Sequence, residues 1–327
     1  MRIILSGQAE VESTLQAICT SHQYLSKPCD INRLEELLSA KTQSQRLVCN
    51  PQLQDFVAQI SHLPCQPRAL DRLEAEMNSD TPSSEQIWHL ISNDIAMSLR
   101  ILQIANSAYF SPKKEIVCPF QAVTILGVNL LKSLMEVSGI FKRSIPLECP
   151  VLEEQFNTLL GAINTHSIAV GNLARRLALV ESAPAKDAVI CYTAGLLRDV
   201  GKIVLMLFVP TEYLKLLNSD KKHSPIHADH IEGERTLFGT THSEVGAYLL
   251  GMWGLPQSIV EVAQQHSLSR IEDISIFSVS AAVRIADALD QMLDAINFER
   301  LESGLDLRGY RELFRECVNG SVQHAQK

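Results

Sequence analysis

The chain centres on the stretch Tyr192-Thr-Ala-Gly-Leu-Leu-Arg-Asp-Val-Gly-Lys-Ile-Val-Leu205. An apolar helical segment runs into Arg198 and Asp199, and a second apolar segment begins after Lys202. A carboxylate between two apolar segments is costly unless a cation or a hydrogen-bond donor pairs with it. We therefore expect partners for Asp199 from other parts of the chain, and we expect Lys202 to reach the surface.

Candidate partners of Asp199 lie on the apolar stripes of other predicted helices. A spacing of three and four residues places each of them in register with buried aliphatic positions. These candidates are His166, His242, His266 and Asp287. Any one of these histidines alone is best explained as a satisfied core residue, but convergence of the set on one site is favoured. Imidazole and carboxylate groups from separate helices are suitable ligands for a transition metal, so Asp199 and these four residues form a candidate metal site.

The composition is that of a globular protein with a substantial core. Hydrophobic residues make up 46% and charged residues 20% of the chain, and the formal net charge is −8. Such a chain lacks the broad basic surface that nucleic-acid binding requires, so we expect no nucleic-acid partner. The eight cysteines are scattered without a Cys-x-x-Cys pair, which is typical of reduced thiols. There is no signal-peptide pattern, and the longest apolar run, Ile203–Val209, is short. We expect a soluble cytoplasmic protein without a membrane partner.

The start of the chain has a β-α-β-α order, with predicted strands at 3–5 and 23–25 and predicted helices at 11–19 and 31–38. Ser6 and the pair Lys27-Pro28 resemble the switch Ser/Thr and the Lys-Pro pair of a response-regulator receiver domain. The resemblance covers residues 1–42 and implies the second half of a receiver, without its acidic cluster and phosphoacceptor aspartate. We expect this fragment not to accept a phosphoryl group. A helical cap that merely looks like a receiver is the alternative.

Helical periodicity dominates from Pro51 onwards, so the fold class is mainly α. Four motifs resemble, in order and spacing, the HDOD signalling domain. They are Leu63-Pro64-Cys65-Gln66-Pro67, Asn93-Asp94, Ala105-Asn106-Ser107-Ala108-Tyr109 and Gln121-Ala122-Val123-Thr124-Ile125-Leu126-Gly127. The predicted organisation is a receiver-like α/β fragment (1–42), a linker (43–52), a multi-helix HDOD domain (53–293) and a helical C-terminal extension (294–327).

The resemblance carries an implication for the candidate site. HDOD domains resemble the HD hydrolase superfamily, in which a histidine, an adjacent His-Asp pair and a late aspartate hold a metal that activates water. His166, Asp199 and Asp287 match that pattern, and His242 and His266 resemble additional ligands of its cyclic-dinucleotide phosphodiesterase branch. The departure is Arg198, which stands where a catalytic member has the histidine of the pair.

A guanidinium group has no lone pair for a metal and stays protonated. We therefore expect Arg198 to fill or flank the metal position as an internal counter-ion. Two further departures agree with this expectation: Ser267 follows His266 where related domains often have a second histidine, and the phosphodiesterase Gly-Tyr-Pro element is absent.

Several local expectations follow from the same pattern. We expect Asp94 to begin one helix and the Asn106 side chain to end it by bonding to the backbone. Helical periodicity continues from Phe120 through Leu134. Trp253 is expected in the core. The polar stretch that contains His223, His227 and His230 predicts a solvated loop.

Three functions remain open. The first, which we favour, is a non-catalytic signalling module that needs no cofactor and contacts signalling proteins in a two-component-type pathway, with a homodimer as a reasonable assembly. The second is a phosphohydrolase that depends on a metal such as manganese or iron. The third is a sensor that binds a nucleotide or another anion through Arg198 and Lys202.

Overall fold

Helices account for nearly all the secondary structure in a computed structural model of the chain. The structure describes residues 3–6, 21, 23–27, 47–107, 109–110, 115–143, 149–219, 230–267 and 277–295. The helices are α1 (Pro51–Gln59), α2 (Pro67–Met77), α3 (Ser84–Ser92), α4 (Ile95–Ala105), α5 (Pro119–Leu126), α6 (Val128–Ser138), α7 (Pro150–Val180), α8 (Ala185–Leu197), α9 (Val200–Phe208), α10 (Pro210–Leu217), α11 (Ile231–Phe238), α12 (His242–Met252), α13 (Gln257–Gln265) and α14 (Val279–Ala295). The mainly α fold class is therefore confirmed.

Two strands, β1 (Ile3–Ser6) and β2 (Gln23–Ser26), pair in parallel at the start of the chain. They lie where the sequence predicts them, and Lys27 is exposed just after β2. The predicted helices at 11–19 and 31–38, as well as Pro28, lie outside the described residues, as does nearly all of the predicted extension 294–327. The receiver resemblance therefore stays a prediction.

Local polar side chains set several helix ends. Asp94 begins α4 by accepting a hydrogen bond from the Met97 backbone N–H, at 2.9 Å. The Asn106 side chain ends the same helix: it donates to the carbonyls of Leu102 and Ile116 and accepts from the Ile116 N–H. Both predictions are confirmed, because side chains of this type compete for backbone groups at helix ends.

The chain turns sharply at Gly127, where helical periodicity alone predicts a continuous helix. α5 and α6 meet there at an angle of 90°, and Gly127 has φ 73° and ψ 155°. A glycine adopts this backbone conformation without the strain that a Cβ would introduce. The helical periodicity predicted from Phe120 to Leu134 is present, but it is divided between two helices, because the apolar spacing continues across the bend.

The longest helix of the candidate site is α7, which has 31 residues. α7 packs against α8 and α14, while α9 packs against α12, and α12 packs against α13. Gly201 of α9 meets α12 so closely that a Cβ at this position would overlap the His242 carbonyl oxygen. Two backbones in direct contact bring the start of α9, next to Asp199, close to the first turn of α12.

The hydrophobic core is continuous across these helices and includes Trp253, which is 2% exposed, as predicted. The described cysteines are free thiols: Cys49, Cys65, Cys118, Cys149 and Cys191. Among the described residues, no single helix combines the length and the apolar composition needed to cross a bilayer. Only the bent pair of α5 and α6 passes that test, and only when both helices are taken together.

Candidate functional site

The structure brings Asp199, its four predicted partners, Arg198 and Lys202 to one place. His166 lies in the middle of α7, and Arg198 and Asp199 form the junction between α8 and α9. The remaining members are Lys202 in α9, His242 at the first position of α12, His266 at the end of α13, and Asp287 in α14. The carboxylate of Asp199 is 1% exposed and lies between two groups of these side chains.

One group, which we call the arginine side, contains His166, Arg198, Asp287 and Asp290. The guanidinium Nη2 of Arg198 lies 2.7 Å from Asp287 Oδ1 and 3.0 Å from Asp199 Oδ2. The same nitrogen contacts Nε2 of His166. Arg198 is 1% exposed, and its Nη1 donates to the Gly195 carbonyl at 2.9 Å. The guanidinium therefore points into the site and lies between His166, Asp199 and Asp287, whose imidazole and carboxylate groups are of the kind that bind metals.

Asp290 completes the arginine side, although the sequence did not single it out. Its Oδ2 lies 2.6 Å from Nδ1 of His166. A carboxylate can only accept, so the His166 ring carries a hydrogen at Nδ1, while its Nε2 lies 3.0 Å from Asp287 Oδ1 and also contacts the Arg198 guanidinium. Asp290 lies three positions after Asp287 on α14 and therefore on the same helical face. This three-residue spacing from Asp287 is the sequence pattern that could have identified Asp290 as a site residue.

The charges on the arginine side stabilise one another. Burial alone would raise the pKa of Asp287, but Arg198 and His166 hold it below its ordinary range. Burial likewise opposes ionisation of Asp199, yet Arg198 and Lys202 keep the pKa of its carboxyl well below the usual value. Both aspartates are therefore anionic at neutral pH.

The second group, which we call the histidine side, contains Lys202, Glu234, His242 and His266. Nε2 of His242 and Nε2 of His266 are 3.2 Å apart. Asp199 Oδ1 lies 3.7 Å from the His242 nitrogen and 3.5 Å from the His266 nitrogen. Lys202 Nζ lies 3.0 Å from the same oxygen. Lys202 is 6% exposed, so the expectation that it reaches the surface was wrong: an ion pair with Asp199 lets a lysine be buried.

Glu234 of α11 is fully buried behind His242 and was missed by the sequence analysis. Its carboxylate accepts from the His242 backbone N–H at 2.7 Å and lies within 2.9 Å of the ring Nδ1. The Tyr213 hydroxyl of α10 donates to Glu234 at 2.6 Å. Burial opposes ionisation, but His242 and Tyr213 outweigh it and lower the pKa of Glu234 to about 2. No sequence signal identified this residue, because its partners lie on other helices.

Of the three histidines in the polar stretch, the structure describes His230 alone. His230 is buried at the start of α11, so the expectation of a solvated loop was wrong at that position, while His223 and His227 lie outside the described residues. The hydroxyl of Ser267 contacts the hydroxyl of Ser243.

The two sides differ in how well they suit a metal ion. On the arginine side the Arg198 guanidinium holds the place between His166, Asp199 and Asp287, so these residues do not fit a cation there. On the histidine side, the ligand atoms of Asp199, His242 and His266 lie within 4.8 Å of one another. Both Asp199 oxygens are buried, and Oδ2 lies 3.0 Å from Arg198 Nη2 while Oδ1 lies 3.0 Å from Lys202 Nζ. The histidine side therefore fits a metal ion, for which it offers two nitrogens and one oxygen.

Comparison with known proteins supports the fold and the family. The family model described as HDOD domain matches residues 63–268, inside the predicted range 53–293. The crystal structure of the MmoQ response regulator from Methylococcus capsulatus str. Bath is 22% identical, with a TM-score of 0.56, and the match covers 76% of this chain and 92% of that chain. A virulence factor from Campylobacter jejuni subsp. jejuni is 16% identical with a TM-score of 0.54, and the match covers 79% and 92%.

A curated relative from Treponema pallidum (strain Nichols), described as an uncharacterized protein, is 28% identical over 233 residues, which is 70% of this chain. The match spans only 41% of that relative's length. The two solved structures establish similarity of fold alone. The family-model match covers more than half of the 327 residues. The chain therefore belongs to the HDOD domain family.

Proposed function

We propose that this chain is a non-catalytic, cytoplasmic signalling module that acts through contacts with other proteins of a two-component-type pathway. One observation carries the proposal: the Arg198 guanidinium lies among His166, Asp199 and Asp287, where the resemblance to HD hydrolases implies a metal. A permanently charged group there neutralises the carboxylates without offering a site for an activated water. The arginine side then maintains the helix packing rather than performing a reaction.

The proposal predicts that the full chain does not hydrolyse phosphoesters in a metal-dependent manner. Purified protein is assayed with a phosphodiester chromogen, nucleotides and cyclic dinucleotides in the presence of manganese or of anaerobic iron. We expect no turnover above that of an Asp199→Ala control. Metal-dependent turnover that disappears in Asp199→Ala would contradict the proposal.

Replacement of the arginine provides a second test. Arg198→His restores a nitrogen lone pair at the position that the guanidinium fills, so it is expected to raise the number of bound manganese or iron ions per chain. Arg198→Met removes the charge without supplying a ligand and is the matched control. Equal metal content in both variants would show that the Arg198 guanidinium does not take the place of a metal ion.

A metal-dependent phosphohydrolase is the second candidate, because Asp199, His242 and His266 retain a usable ligand set. When bound there, a metal would polarise a phosphate oxygen and lower the pKa of a bound water. Asp199, His242 and His266 would hold it, while Arg198 and Lys202 would balance the charge of the carboxylates. The turnover assay decides between this candidate and the first.

An anion sensor is less favoured by the geometry. Arg198 and Lys202 are 1% and 6% exposed, and both already approach the Asp199 carboxylate within 3.0 Å. An anion would have to compete with that carboxylate for both cations. Ligand-dependent thermal shifts that vanish in Arg198→Ala would support the sensor over the signalling module.

A further inference from the structure

The two histidines of the histidine side have their ring hydrogens fixed by acceptors that cannot donate. Nδ1 of His242 faces both oxygens of Glu234 at 2.8 and 2.9 Å. Nδ1 of His266 lies 2.8 Å from the Ala263 carbonyl oxygen. Carboxylate and carbonyl oxygens only accept hydrogen bonds, so each ring carries its hydrogen on Nδ1.

This assignment leaves a lone pair on Nε2 of each neutral ring, and the two lone pairs face each other across 3.2 Å. Asp199 Oδ1 lies 3.5 Å from one of these nitrogens and 3.7 Å from the other. Three acceptor atoms thus converge in a buried space. Lys202 Nζ forms an ion pair with Asp199 Oδ1 at 3.0 Å, whereas the two ring nitrogens face each other. Such an arrangement is unfavourable unless positive charge lies between the acceptors.

Glu234 is itself held rigidly, which makes it suited to fix the orientation of a ring. The Tyr213 hydroxyl donates to Oε1 at 2.6 Å, and the His242 backbone N–H donates to Oε2 at 2.7 Å. Both Tyr213 and Glu234 are 0% exposed. A buried carboxylate behind a histidine ring sets the tautomer and aims the opposite nitrogen, as partners behind metal-bound histidines generally do.

We propose that Glu234 is a positioning residue that holds His242 as the Nδ1–H tautomer, so that His242, His266 and Asp199 Oδ1 bind one divalent transition-metal ion. Two imidazoles and one carboxylate suit zinc, iron or cobalt better than magnesium or calcium. A second metal is excluded because Arg198 occupies the arginine side. The inference goes beyond the proposed function and needs no turnover, since a bound ion stabilises the junction of α9, α12 and α13 in a non-catalytic protein as well.

The test is the metal content of the full chain. Protein purified without chelator is loaded anaerobically with Co²⁺, passed through a desalting column, and measured by elemental analysis and by the visible absorption of bound cobalt. We expect about one ion per chain for the natural sequence, a loss of at least about tenfold in affinity for Glu234→Gln, and loss of the ion in His266→Ala.

Further variants separate positioning from folding. Tyr213→Phe removes only the hydroxyl that holds Glu234, and it should weaken cobalt binding less than Glu234→Gln does. Glu244→Gln is the matched control, because this carboxylate bonds to the Thr241 N–H and not to a histidine ring. It should leave cobalt affinity unchanged, and circular dichroism verifies the fold of each variant.

Three results would overturn the inference. The first is absence of metal from the folded natural protein, which would mean that an extra proton on one ring bridges His242 and His266. The second is two ions per chain. The third is unchanged cobalt affinity in Glu234→Gln. None of them depends on turnover, so failure of this inference and failure of the proposed function are distinguishable.

Discussion

Arg198 is a charged side chain that the fold surrounds completely, and its contacts explain why it is tolerated there. Removing a guanidinium from water is expensive, but Asp199 Oδ2 and Asp287 Oδ1 lie within 3.0 Å of its Nη2. Arg198 in turn keeps both carboxylates ionised, together with Lys202 at Asp199 and His166 at Asp287. Each member of this group therefore depends on the others.

Arg198→Met is expected to lower the free energy of unfolding by about 3 to 5 kcal/mol, because it removes the guanidinium that contacts both the buried carboxylate of Asp199 and the partly buried carboxylate of Asp287. Urea unfolding followed by circular dichroism measures the change. The control is Arg143→Met, which removes an exposed ion pair with Asp71 and Glu74 and should change stability by less than about 1 kcal/mol. Equal effects of the two substitutions would show that Arg198 is not an essential counter-ion.

The site residues divide into those that the sequence predicts and those that it does not. His166, His242, His266 and Asp287 lie on apolar helical stripes, so periodicity alone marks them as buried polar groups. Glu234 lies in a polar stretch and is buried only because α11 packs behind His242. Burial of Lys202 depends in the same way on its ion pair with Asp199. Periodicity describes one helix at a time and carries no information on such pairings between elements.

At the scale of the helices, backbone contact between α9 and α12 sets the geometry of the site. A Cβ at Gly201 would overlap the His242 carbonyl oxygen and approach the Gly246 nitrogen to 2.7 Å. A similar contact joins α7 to α8, where a Cβ at Gly195 would lie 2.8 Å from the Gly171 Cα. These glycines allow the helices that carry His166, Arg198 and His242 to approach one another closely.

Gly201→Ala is expected to destabilise the protein by at least about 2 kcal/mol, since the added methyl group forces α9 and α12 apart. Gly161→Ala is the matched control, because nothing lies within 4 Å of the Cβ position on α7. It should stabilise the protein by up to about 1 kcal/mol through its higher helix propensity. Thermal and urea unfolding of both variants provide the measurement. A neutral Gly201→Ala would show that the helices can separate without cost.

The start of α4 is expected to make stability depend on pH. Burial raises the pKa of Asp94 to about 6, because hydrogen bonds from the Gln66 and Met97 N–H groups only partly offset the lost solvation. The folded protein thus binds this proton more tightly than the unfolded chain does. The contribution of Asp94 to stability is full below its ordinary pKa of 3.8 and is lost as the pH rises through about 6.

Asp94→Asn should remove this contribution and flatten the profile by up to about 1.4 kcal/mol per pH unit. Urea unfolding at several pH values between about 4 and 7 measures the slope. Asp71→Asn, a change at an exposed carboxylate, should keep the natural profile. An unchanged slope in Asp94→Asn would assign the pH dependence to another group.

On the scale of the whole molecule, the sequence predicts the helical architecture because the chain repeats one signal, apolar residues at helical spacing. Capping residues such as Asp94 and Asn106 predict the ends of a helix correctly because their side chains bond to nearby backbone groups. The bend at Gly127 was not predicted, since the apolar spacing on both sides is compatible with one helix. The arrangement of α7, α8 and α14 around the site depends on contacts between distant segments, and the HDOD resemblance indicates this arrangement where periodicity does not.

We propose that the full chain forms a homodimer, because residues 1–42 resemble the part of a receiver domain through which such domains often pair. Multi-angle light scattering over a range of protein concentrations should give twice the chain mass of 36.3 kDa. Removal of residues 1–42 should shift the mass towards the monomer if this region provides the contact. A monomer mass that does not change with concentration would contradict the prediction.

The carboxylate of Asp199 belongs to both sides of the site, with Oδ2 facing Arg198 and Oδ1 facing His242 and His266. Because a carboxylate is a rigid plane, a rotation that changes one set of distances also changes the other. If a partner protein displaced α14, and with it Asp287 and the Arg198 guanidinium that Asp287 contacts, the proposed cation site on the histidine side would bind its ion with a different free energy. By thermodynamic reciprocity, occupancy of that site would alter the affinity for the same protein by an equal factor.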